Sequence, residues 1–92
     1  MRKKINVYAI KEKKEEIFKN PFYADNYIKA LKYFHDFLIE EMESVDKEYA
    51  KKHIKSFDLY RLGAFFPDTG FFEEKVPECI CNGLELVEEV SF

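Results

Sequence analysis

The stretch from Phe57 to Val76 restricts the fold more than any other part of the chain. Phe57-Asp58-Leu59-Tyr60-Arg61-Leu62-Gly63-Ala64-Phe65-Phe66 reads as a strand, with Tyr60, Leu62, Ala64 and Phe66 expected to face one way. Pro67-Asp68-Thr69-Gly70 follows with turn chemistry: Pro fixes φ, Asp caps locally, and Gly accepts the left-handed conformation. Phe71-Phe72-Glu73-Glu74-Lys75-Val76 then returns, so 57–76 is predicted to be a β-hairpin.

The other elements fit around it. Ile5-Asn6-Val7-Tyr8-Ala9-Ile10 predicts a strand with Ile5, Val7 and Ala9 on one face and Tyr8 and Ile10 on the other. Lys11 to Lys19 is charged and expected to be solvated, and Asn20-Pro21 marks a turn. Asp25 or Asn26 caps a predicted helix over 26–43, whose apolar stripe reads as Ile28, Leu31, His35, Leu38, Ile39 and Met42. Tyr33 and Phe37 fall off that stripe. They either form a partner or dimer contact or lie beneath another segment, and the sequence leaves both open. A short helix is expected over 46–55, with Tyr49 and His53 on one side. Short strands are expected at 78–81 and 84–87, joined by Asn82-Gly83. One helix cannot cover both faces of a sheet. The predicted class is therefore α+β, a small, mostly antiparallel sheet with one main helix on one face.

Ninety-two residues predict one domain spanning 1–92, with an acidic tail at about 88–92 loosely held. Ten Phe and six Tyr supply the bulk that so short a chain needs for a core. Charge is graded. Residues 1–19 hold seven basic and three acidic side chains, residues 20–66 seven and eight, and residues 67–92 one and seven. An overall charge of −3 disfavours nonspecific DNA binding. No run is long and apolar enough to span a bilayer, so no membrane partner is expected. Two cysteines do not make a disulfide framework, and a reduced, cytoplasmic setting is expected.

Each chemical constellation has a plainer explanation. Cys79, Cys81, His35 and His53 could in principle supply four zinc ligands, but CxC on a regular strand puts both thiols on one face without the bite of a zinc knuckle. The expectation is no metal and no cofactor. Activated nucleophiles, clefted carboxylates and a phosphate-cradling glycine loop find no support either, so the chain is expected not to be an enzyme. Lys3, Lys4, Lys11, Lys13, Lys14 and Lys19, interleaved with Tyr8, Phe18, Phe22 and Tyr23, form a candidate nucleic-acid surface. Glu12, Glu15 and Glu16 dilute it, which favours a simple solvated loop.

Several stretches taken together resemble a known family. They are Val7-Tyr8-Ala9-Ile10-Lys11-Glu12-Lys13, Asn20-Pro21-Phe22, Ala24-Asp25-Asn26, Phe34-His35-Asp36, Phe57 to Phe65, Asp68-Thr69-Gly70 and Ile80-Cys81-Asn82-Gly83. In this order they are similar to the small nonstructural protein of gokushovirus-type microviruses, which are single-stranded DNA phages. Ala64 and Phe66 stand where that pattern usually carries acidic residues, and Glu12 and Lys14 where it has Asp and Ala. The family is likened to the microvirus C protein of DNA synthesis and packaging. The resemblance implies a nonstructural protein of the host cytoplasm acting in single-strand DNA synthesis and genome packaging. It would contact viral or host replication and packaging proteins, with DNA reached directly or indirectly. Tyr33 and Phe37 are the candidate partner contact, and a homo-oligomer is compatible. The alternatives are direct single-strand DNA binding through the basic amino-terminal segment, or a small host-type interaction module.

Overall fold

The computed structural model describes residues 3–89. In chain order its elements are β1 (Ile5–Glu12), β2 (Ile17–Phe18), β3 (Phe22–Ala24), α1 (Tyr27–Glu43), α2 (Ala50–Ile54), β4 (Phe57–Phe66), β5 (Phe71–Asn82) and α3 (Gly83–Glu89). The class is α+β, with one antiparallel sheet, one long helix and two short ones.

β1 occupies the interior of the sheet because it is apolar in both directions: Val7, Tyr8, Ala9 and Ile10 are all buried. β4 pairs along one of its edges from Ile5↔Phe65 to Glu12↔Phe57, and β5 extends the sheet beyond β4. On the other edge β1 takes two short strands in succession, β2 opposite Lys11 and Glu12 and β3 opposite Asn6 to Tyr8. The predicted hairpin is present, closed by Gly70 at φ 77 with its N–H on the Phe66 carbonyl at 2.7 Å.

α1 begins where the capping chemistry placed it. The Asn26 side chain accepts from the Lys29 N–H at 3.0 Å, and Lys29 Nζ sits 3.0 Å from Asp25 Oδ2. The phase of the helix differs from the expected stripe. Ala30, Phe34 and Leu38 are the buried residues, packed with Tyr8, Ile10, Phe57 and Leu59, whereas Ile28 is 73% exposed. Apolar residues surround most of this helix, so periodicity alone does not fix which side meets the sheet. Small Ala30 permits close approach, and the Phe34 ring fills the space beside it.

Three register shifts reshape the two long strands. Leu62 is an extra residue opposite the Val7–Tyr8 step, so Tyr60 and Ala64 no longer share a face as the alternation predicted. Ile80 is extra opposite the Leu59–Tyr60 step, which places Cys81 with Leu59 and Cys79 with Tyr60. The two thiols therefore lie on opposite faces of the sheet, not on one. Lys75, Val76 and Pro77 bulge opposite Leu62, and this lets β5 run on past Pro77 without losing a ladder N–H.

The predicted strand at 84–87 is helical instead. Asn82 explains the change. Its Oδ1 accepts from the Leu84 N–H at 3.0 Å, and its Nδ2 donates to the Lys55 carbonyl at 2.9 Å and to Asp58 Oδ1 at 2.8 Å. Asn82 thus caps α3 and ties it to the start of β4, rather than forming a tight turn. A Cβ on Gly83 would collide with the Ile54 carbonyl and lie 2.8 Å from Leu38 Cδ2, so only glycine lets α3 sit this close. The short helix expected over 46–55 is confined to α2. Of the tail expected to be loose, Glu88 and Glu89 close α3, and residues 90–92 lie outside the described residues.

Candidate functional site

β3 and α1 meet in a surface cleft of about 450 Å³ lined by Ile10, Lys19, Asn20, Phe22, Tyr33 and Phe37. Pairing with β1 turns Phe22 toward the helix. Phe22 stacks on Tyr33 with ring centroids 4.0 Å apart and planes at 28°, and on buried Tyr8 at 5.9 Å and 26°. The result is a ladder of three rings running from the core to the surface. Tyr33 remains 53% exposed, while half-buried Phe37 packs edge-on against Phe57 at 5.0 Å. Of the pair left open by the sequence, Phe37 lies under its neighbours, whereas Tyr33 is presented to solvent, as a partner contact would require. A second cleft of about 280 Å³ shares Phe22 and Tyr33 and adds Ile5, Tyr23, Ala24, Asp25 and Lys29.

The six candidate lysines do not form one patch. Lys3 and Lys4 are exposed ahead of β1. Lys19 lies at the first cleft with Nζ 5.7 Å from the centre of the Phe37 ring. Lys11 is on the opposite face of the sheet, its Nζ 5.5 Å from the Phe18 ring and 5.7 Å from Tyr60. Lys13 Nζ is 3.7 Å from Asp58. Lys14 donates to the Tyr49 hydroxyl, and that hydrogen bond, with the lysine charge, pulls the Tyr49 phenol below its usual range.

The face of the sheet turned away from α1 carries rings that alternation alone did not place there. Phe18 meets Tyr60 edge-on at 5.2 Å, and Tyr23, Phe65 and Phe72 form a second group with centroids 6.0 and 5.0 Å apart. The Leu62 bulge is what moves Phe65 off the face of Arg61 and onto that of Tyr60. Arg61 instead donates through Nη2 to Asn6 Oδ1 at 3.0 Å on the helix side.

The remaining reactive groups are engaged locally. His53 Nε2 lies 3.1 Å from Glu41 Oε1, and the Ser56 hydroxyl donates to the His53 carbonyl rather than to its ring. Burial, followed by the Asp58 charge, raises the Cys79 thiol above its usual range. Among the described residues, no group of three or more His, Cys, Asp or Glu is arranged to hold a metal ion. No helix among them is long and apolar enough to cross a membrane.

A model of the phage ORF5 protein family matches residues 5–86, a span that includes both clefts and every strand. No curated protein and no solved structure matches the chain.

Proposed function

The chain belongs to the phage ORF5 protein family, and from that premise we propose that it is a nonstructural accessory protein acting in viral single-strand DNA synthesis and genome packaging. In this reading it works in the host cytoplasm through contacts with replication or packaging proteins and performs no catalysis of its own. The resemblance to the gokushovirus nonstructural protein supports the process.

The observation that carries the mode of action is Tyr33. An aromatic side chain left half in water, backed by Phe22 and opening onto an apolar-floored cleft, is the kind of anchor that protein interfaces use. Association with host or phage proteins in infected cells should be lost on Tyr33→Ala and should survive nuclease treatment. Retention of the same partners by Tyr33→Ala would remove the cleft from the account.

A second reading, direct binding of single-stranded DNA, has one specific observation in its favour. Lys11 lies over Phe18 and Tyr60 on the face not covered by helices, pairing a phosphate-seeking cation with stackable rings. It predicts oligothymidylate binding that weakens steeply with salt and is lost on Lys11→Glu with Lys13→Glu. An absence of binding at low salt would end it.

A further inference from the structure

We infer that the cleft between β3 and α1 is built for an acidic peptide segment carrying one large apolar or aromatic anchor; this deepens the protein-contact reading above and rests on it. The floor and walls are Ile10, Phe22 and the Phe37 ring, with Tyr33 at the rim, and about 450 Å³ accommodates one large side chain with part of its neighbours. An apolar anchor is what such walls select.

The charge requirement comes from Lys19. Its backbone N–H is fixed on the Ile10 carbonyl at 2.8 Å, which holds the residue at the mouth of the cleft. Its ammonium group forms no ion pair among the described residues and rests only against the Phe37 ring. The other lysine close to the Phe22–Tyr33 stack, Lys29, is already neutralised by Asp25. A cation beside an apolar cleft and lacking a carboxylate pairs best with a carboxylate brought by the ligand. Asn20, also lining the cleft, offers an amide that can bond the backbone of an extended segment. Asp36 and Glu40, exposed on α1 at i+3 from the cleft-lining Tyr33 and Phe37, disfavour extra negative charge on that side, which limits where carboxylates can flank the anchor.

A nucleotide shares the pairing of ring and anion. The acidic peptide is favoured because a chain of net charge −3 lacks the broad positive field that a nucleic-acid backbone requires.

The chain contains no Trp, so a tryptophan in the ligand, excited at the red edge where the six tyrosines do not absorb, can be read selectively. The probes are a short peptide with one central Trp flanked by Glu and the same peptide with Lys for Glu, both read directly, and the Glu peptide with Ala for Trp and oligothymidylate, both read by displacement of the Glu–Trp peptide. The acidic Trp peptide should bind, and the other three should bind at least about tenfold more weakly. Lys19→Glu should reverse the preference between the Glu and Lys peptides, and Tyr33→Ala should weaken both while circular dichroism stays unchanged. Equal binding of the acidic and basic peptides, tighter binding of the oligonucleotide, or indifference to Lys19→Glu would each overturn the inference. Failure of every peptide, with partners in infected cells still lost on Tyr33→Ala, would refute this ligand class and leave the protein-contact reading standing.

Discussion

Phe22 and Tyr33 stack 4.0 Å apart across the junction of β3 and α1, and the two rings have different duties. Phe22 also leans on Tyr8 and is part of the packing, whereas Tyr33 turns its outer face to water. Phe22→Ala should destabilise the fold by about 2 kcal/mol, below the range for a fully buried Phe because Phe22 is only half-buried. Tyr33→Ala should cost about 1 kcal/mol or less while abolishing partner binding. Urea unfolding of the two variants measures the difference; equal losses would mean that Tyr33 is structural.

The Asn82–Gly83 step should be among the least tolerant surface-proximal positions. Asn82→Ala removes the α3 cap and the bonds to Lys55 and Asp58, at an expected cost of about 2 kcal/mol. Gly83→Ala forces a methyl group toward the Ile54 carbonyl and Leu38, with a loss of about 2–3 kcal/mol. Denaturant midpoints test both, and a neutral Gly83→Ala would contradict the placement of α3.

Tyr8 supplies a pH dependence. Burial raises its phenol above the usual value, against the opposing influence of the Arg61 charge and the Asn6 hydrogen bond. The folded state therefore holds this proton more tightly than the unfolded chain. Its contribution is complete below the unfolded tyrosine pKa near 10 and is lost as pH rises through the higher folded value. Tyr49, lowered by Lys14, acts in the opposite sense over the same alkaline range. Thermal melts from pH 8 to pH 11 should show a smaller alkaline loss in Tyr8→Phe than in the parent chain, and a larger loss in Tyr49→Phe.

Cys79 is exposed, yet its thiol is raised by burial and by Asp58. Near neutral pH it should alkylate more slowly than a free cysteine and accelerate as pH rises, because the thiolate is the reacting form. With Cys79 and Cys81 on opposite faces, mild oxidation should yield no intramolecular bridge. Mass spectrometry after timed alkylation and after oxidation reads both outcomes.

Much of this fold was legible in the residues, and the misses share a cause. The hairpin from Phe57 to Val76, the first strand and the Asn26 cap follow from local chemistry, so alternation and turn residues were sufficient. Helix phase was not local: with apolar residues on most sides of α1, the choice of Phe34 over Ile28 depends on the sheet it meets. The bulge at Leu62 has a signal beside it, the isolated strand glycine Gly63 at φ 157, which alternation alone does not use; Ile80 has none, so the separation of Cys79 from Cys81 was invisible until the strands were paired. Asn82-Gly83 reads equally well as a tight turn or a helix cap; Lys55 and Asp58, distant in sequence, decide between them. At the site, Tyr33 and Phe37 were identifiable as rings off the expected stripe. Phe22 and Lys19 were visible only as members of a diluted basic stretch.

The most direct measurement replaces Tyr33 with a photo-crosslinking phenylalanine derivative in the full chain and irradiates infected cells with and without nuclease. The account predicts discrete crosslinks from position 33 to protein, unchanged by nuclease and absent when the derivative replaces exposed Ile28. Crosslinks to DNA alone, or no crosslink at position 33 in cells where the protein still associates with partners, would contradict it.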